Sequence, residues 1–244
     1  MIEIVVQLGT GLIVAAVGFL IARGLDRVQR YQRYGHLHSL LPTRGEVQIV
    51  LPSFEGISQF YIPHVDSTAE IPPNVLVMPM NEAWAIAELV MGIRRVNKTC
   101  KISLGTARTY KESDSLIICI GGPSVNEVTR QILKSFPSFT IDYPQHEAHY
   151  GSTTFIPARN EKDELLEDYG FVFLAHSPSG AKRIVLCGVW SPGTEMATRC
   201  LLELKRRSDA VGMMKRNENV VLVAHGDLNG IERSNIKLIE MRRP

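Results

Sequence analysis

The chain reads as an α/β protein with two parts, one N-terminal membrane-spanning helix and a three-layer α/β domain with a mixed sheet. Three observations predict this. Residues 4–22 are apolar except for Gln7 and Thr10. Beyond residue 46, short runs rich in Val, Ile and Leu alternate with amphipathic stretches, the pattern of strands alternating with helices. Two of those runs end in glycine-containing turns that lead into a helix.

The span comes first. Ile4–Ala22, at 1.5 Å per residue, reaches about 28 Å, close to the thickness of a hydrocarbon core. A secretion signal would carry positive charge before the apolar run, whereas here Arg23, Arg27, Arg30 and Arg33 follow it, opposed by Asp26. A buried core helix is the other reading of such a run. The arginine collar predicts a single-pass protein of the inner membrane with its C-terminal domain in the cytoplasm. On a helical projection Gln7, Gly11, Ala15, Gly18 and Ala22 fall within an arc of about 80°. Such a stripe lets helices approach closely, and a glutamine in lipid seeks a partner or water. One helix encloses no pore, so the stripe predicts a homo-oligomer, for example a tetramer, packed through or lined by these residues. The domain plan is therefore residues 1–34 as helix with basic extension, 35–46 as linker and 47–244 as the cytoplasmic α/β domain.

Composition fits that plan. Of 244 residues 45% are hydrophobic, which allows a sizeable core, and the net charge of +2 is unremarkable. Cys100, Cys119, Cys187 and Cys200 are widely spaced, with no CxxC, and read as buried reduced thiols rather than disulfides or zinc ligands.

Strands are expected at Val47–Phe54, Asn74–Pro79, Lys101–Gly105 and Asp114–Gly122. Others are expected at Tyr169–His176 and Lys182–Trp190, a hairpin turning at Ser177–Ala181, and at Asn219–Gly226 and Ser234–Met241. Helices are expected over Asn81–Asn97, with Asn81 as N-cap and Trp84, Ala87, Leu89 and Val90 on its apolar face, over Ser124–Phe136, and over Thr194–Arg207. Residues 139–159, rich in Tyr, His and Pro, read as an irregular or hairpin insertion with no clear placement.

Chemistry concentrates at two strand-to-helix junctions. In "LIICIGGPSVNEVTRQIL", Gly121 and Gly122 permit a tight turn, and Ser124 with Glu127 has the S-x-x-E form of a capping box. Helix-start amides there favour an anion such as phosphate, with Asn126, Arg130 and Arg108 nearby. A well-capped connection with no ligand explains Ser124 and Glu127 equally. The second junction, "IVLCGVWSPGTEMATRC", offers Trp190, Ser191 and Thr194, where Trp190 either stacks on a base or completes the core. Arg108 and Tyr110 follow a further strand, and His225 ends another. No complete catalytic motif is present. Asp66, Glu70 and Glu112 lack a visible partner, and "HEAH" (residues 146–149) lies in no clear helix and is a poor metal site.

The run "IGGPSVNEVTR", the later "DYGFVF" and "IVLCGVWSPGTEMATRCL" together resemble a Rossmann-like nucleotide-sensing domain of bacterial signalling and conflict systems. The resemblance spans Val47 to Leu204 and rests on Gly121, Gly122, Pro123, Asn126, Thr129, Gly193, Thr194 and Ala197. The chain departs from it at Ser177–Gly180, where relatives often carry an Asn-Pro turn. Joined to one N-terminal span, the resemblance implies a membrane effector of anti-phage defence. Its cytoplasmic domain would bind a nucleotide or short single-stranded nucleic acid made by a signal-producing enzyme, and would gate a membrane-disrupting assembly in the lipid bilayer. From the residues themselves, no cofactor and no metal are expected. The alternatives are a membrane-tethered nucleosidase or hydrolase, and a ligand-free adaptor.

Overall fold

The computed structural model describes residues 23, 37–42, 45–53, 59–62, 67–70, 78–203, 218–229 and 232–242. The expected span and its stripe, Gln7, Gly11, Ala15, Gly18 and Ala22, lie outside the described residues, and Arg23 there is helical and exposed. Among the described residues no helix is long and apolar enough to cross a membrane.

The chain is α/β with a mixed seven-stranded sheet. Its strands are β1 (Glu46–Leu51), β4 (Lys101–Thr106), β5 (Leu116–Ile120), β9 (Glu167–His176), β10 (Lys182–Gly188), β11 (Val220–Asn229) and β12 (Glu232–Arg242). The order is β12-β11-β9-β10-β5-β1-β4. β4, β1, β5 and β10 are parallel neighbours, while β9, β11 and β12 pair antiparallel. The parallel strands read as unbroken apolar runs because both faces are covered: every residue of β5 is buried. The edge strand β4 is half exposed, with Leu104 at 55%. The remaining strands form a hairpin, β2 (Gln59–Ile62) with β3 (Ser67–Glu70), and a small antiparallel sheet of β6 (Phe139–Asp142), β7 (Glu147–Tyr150) and β8 (Thr153–Phe155).

The helices are α1 (Leu37–Leu40), α2 (Met80–Val96), α3 (Glu127–Leu133) and α4 (Ser191–Leu202). One face of the sheet packs against α2 and α4 through Leu89, Ile93, Met196, Ala197 and Leu201. The opposite face packs against α3 and the small sheet through Val128, Phe136, Phe139, Tyr150 and Phe155. Phe139 stands edge-on to Phe173 of β9 at 4.6 Å between ring centres.

Several expectations are corrected. Residues 35–46 are not simply a linker, because Leu37, Leu40 and Leu41 are buried in the core. α2 begins at Met80 after Pro79, and Asn81 lies inside its first turn rather than capping it. Its buried stripe is Glu82, Ala85, Leu89, Gly92 and Ile93, with Trp84 and Ala87 exposed. Of the strand expected at Asn74–Pro79, Met78 and Pro79 have no regular structure, and the rest lies outside the described residues. The helix expected over Ser124–Phe136 is shorter, and the unassigned segment is the small sheet. The β9–β10 hairpin turns where the sequence placed it, with Gly180 at φ +83° and the Ser177 hydroxyl accepting the Ala181 amide at 3.1 Å. The four cysteines are buried free thiols, and burial pushes Cys119 up to about 12.

Candidate functional site

β1 continues toward β4 on one side of the sheet, while the chain after β5 returns at β9, on the other side. Connections thus diverge between β1 and β5, and in open α/β sheets ligands collect at the carboxyl ends of such a pair. The β5–α3 junction closes this point. Gly121 (φ +90°) is a conformation that L side chains rarely adopt, and its amide reaches Leu186 O on β10 at 2.9 Å. The Val125 and Asn126 amides bond to Gly122 O at 3.2 and 3.1 Å, and the Ser53 amide beyond β1 bonds to Val125 O at 2.8 Å.

Asn126 is the N-cap of α3. Its Oδ1 accepts the amides of Val128 (3.1 Å) and Thr129 (3.2 Å), and its Nδ2 donates to Val50 O on β1 (3.2 Å) and Ile120 O on β5 (3.0 Å). The S-x-x-E capping box is therefore a misreading. Ser124 is exposed outside the helix with its amide on the Tyr143 hydroxyl at 3.3 Å, and Glu127 pairs with Arg130 at 2.8 Å. Asn126 wins because it alone can tie the helix start to two strand ends at once. With all four side-chain hydrogen bonds internal and no exposure, it keeps no atom for a ligand. Arg130, half exposed, also donates to Pro123 O at 3.1 Å.

Glu82 stands at the same point, in the first turn of α2. It is 4% exposed, and its Oε2 has no hydrogen-bond partner among the described residues. A Cβ on Gly121 would lie 3.4 Å from its Oε1, 3.3 Å from Pro52 and 3.1 Å from Val125. Burial pushes its carboxyl group up to about 7. Buried polar groups are almost always bonded, so an unpaired carboxyl group requires an explanation.

The β10–α4 junction differs. Here the protein supplies its own anion: Asp168 of β9, fully buried, accepts the Gly193 amide through Oδ2 at 2.6 Å. The approach is so close that a Cβ at Gly170 would strike Gly193 O and Ala197 N, and one at Gly188 would strike the Gly193 backbone. Thr194 is buried within α4, and Ser191 is half buried at its start. Trp190 precedes the helix with Arg159 over its ring at 4.6 Å and His146 beside it at 4.4 Å, so it is already stacked by the protein. The start of α4 is thus capped by an internal carboxylate.

The turn between β6 and β7 links the two junctions, since Tyr143 contacts Ser124 and His146 contacts Trp190. Arg108 is exposed on the turn after β4. Tyr110 belongs elsewhere: its hydroxyl bonds to Glu112, which pairs with Arg183 near the start of β10, at the amino edge of the sheet. His225 pairs with Glu167 at 2.9 Å against the Tyr169 ring. In "HEAH", the His149 ring and the Glu147 carboxylate lie 2.9 Å apart on β7. No group of three His, Cys, Asp or Glu side chains able to hold a metal occurs among the described residues.

Sequence reasoning missed Glu82, Asp168, Tyr143 and Arg159. Glu82 carried a signal, since it falls in phase with the stripe of Ala85, Leu89 and Ile93 where an apolar residue belongs. No protein-family model matches the chain, and no curated protein matches it.

Proposed function

We propose that this chain is a membrane-anchored effector whose Rossmann-like domain binds a nucleotide or oligonucleotide signal at the carboxyl edge of its sheet. Ligand binding by the domain gathers the N-terminal helices into an oligomeric, membrane-disrupting assembly, in keeping with anti-phage defence. One observation carries the ligand half: a buried, unpaired carboxyl group, Glu82, at the divergence point between β1 and β5. The membrane half is supported by the apolar run Ile4–Ala22 and its arginine collar. Domains that bind ligand differently in two arrangements can bias which arrangement the helices adopt.

The test is mass spectrometry of small molecules released on denaturing the full chain, purified in mild detergent. The expected result is a phosphorylated nucleotide or oligonucleotide at about one per chain or per subunit pair. Finding none, together with no nucleotide-dependent thermal shift, would overturn the reading.

A further inference from the structure

We infer that Glu82 reads the base of the ligand, and that the base it fits is guanine, through its N1–H and N2–H donors. The inference rests on the nucleotide reading above and assigns which end of the nucleotide enters the β1–β5 crevice.

A carboxylate is a bare acceptor. The described residues around Glu82 offer it nothing: Pro52 lies beyond β1, and Gly121 and Val125 lie beyond β5. None of these brings a charge. From β10 comes the Cys187 thiol, which burial keeps protonated and Glu82 pushes further up. The nearest basic side chain of the β5–α3 junction, Arg130, is held by Glu127 and Pro123 O. Among the described residues no donor reaches Oε2, and we assign that place to a donor of the ligand.

That donor is not a phosphate. A phosphate beside an uncompensated buried carboxylate meets like-charge repulsion. Six amides of the junction are engaged, that of Gly121 by Leu186 O, that of Ser124 by the Tyr143 hydroxyl, those of Val125 and Asn126 by Gly122 O, and those of Val128 and Thr129 by the Asn126 cap. The end of the ligand that faces Glu82 is the one carrying N–H groups. Guanine presents two adjacent N–H donors that a carboxylate accepts side by side, a paired geometry that adds specificity as well as strength. Adenine and cytosine each set one amino donor beside a ring-nitrogen acceptor, and uracil sets its single N–H between two carbonyls, so each opposes a lone pair to one carboxylate oxygen. Pro52 and Val125 stand with Glu82 around Gly121, and such apolar surroundings strengthen a hydrogen bond made there.

The fork requires the ionised carboxylate, so guanine binding tightens as pH rises through the range in which Glu82 loses its proton. The position of Glu82 in the first turn of α2 favours that ionised form once donors arrive.

The experiment titrates the full chain in mild detergent with 5′-GMP and 5′-AMP at pH 6 and pH 8, for the native protein and for Glu82→Gln. GMP is expected to bind roughly tenfold more tightly than AMP at pH 8, and more tightly at pH 8 than at pH 6. Glu82→Gln should weaken GMP by roughly tenfold or more without lowering the melting temperature. Equal affinities for GMP and AMP, or GMP affinity unchanged in Glu82→Gln, overturn the guanine inference and leave the nucleotide reading standing. Failure of both probes to bind, with a nucleotide nonetheless released from the native protein, overturns the inference alone. Failure of both with nothing released overturns the two together.

Discussion

The two strand-to-helix junctions look alike in sequence and are finished in opposite ways. At β10–α4, three glycines let a strand pair and a helix touch backbone to backbone, and Asp168 fills the helix start with a carboxylate that bonds Gly193. The Gly193 amide is thereby taken, while Trp190 Nε1 beside it is buried with no hydrogen-bond partner among the described residues. At β5–α3, a neutral side chain, Asn126, ties the helix to β1 and β5, and Oε2 of the neighbouring Glu82 has no partner among the described residues. The first junction is a structural joint. The second is complete in its backbone and incomplete in its charge. A glycine-rich turn before a helix therefore says that backbones come close, and the side chains decide whether the space belongs to the protein or to a ligand.

The sharpest way to break the comparison is at the joint. Gly170→Ala places a Cβ against Gly193 O and Ala197 N, backbone atoms that have no room to yield. The loss should exceed about 4 kcal/mol and prevent folding, as read by soluble yield and chemical denaturation. At the β5–α3 junction a paired measurement separates the true cap from the apparent one. Asn126→Ala strips four buried hydrogen bonds and should cost about 3 kcal/mol or more. Ser124→Ala, at an exposed position outside the helix, should fall within about half a kcal/mol of the native protein. A loss near 1 kcal/mol at Ser124 would restore the capping box.

Much of the fold was legible. Central strands such as Leu116–Ile120 are apolar on both faces, and the hairpin turn at Ser177–Ala181 carries its own punctuation. What was not legible depended on distant partners. The choice between Ser124 and Asn126 was settled by Val50, which lies far back in the chain on β1. Asp168 became a cap only because β9 lies against the start of α4. The small sheet escaped notice because its strands are three or four residues long and carry polar residues on alternate positions, too little for a periodic signal. Tyr110 was misplaced for a related reason. Its position after a strand pointed to the carboxyl edge, but Glu112 and Arg183 draw its hydroxyl to the opposite one.

The most direct test of an unfinished site at β1–β5 is the pH dependence of unfolding for the native chain and Glu82→Gln. Burial holds the Glu82 carboxyl group at about 7 in the folded state against 4.5 when unfolded. Between those values the folded state keeps a proton that the unfolded state has lost. Stability contributed by this group is thus fully present below pH 4.5 and declines as pH rises through 7, by roughly 3 kcal/mol in all. Glu82→Gln carries no such titration. The two proteins should match at pH 4.5, and the variant should be the more stable by roughly 3 kcal/mol at pH 8 in the absence of nucleotide. A variant less stable than the native chain at pH 8 would mean that Glu82 already has its partner within the fold, and that the crevice between β1 and β5 is as finished as the joint beside it.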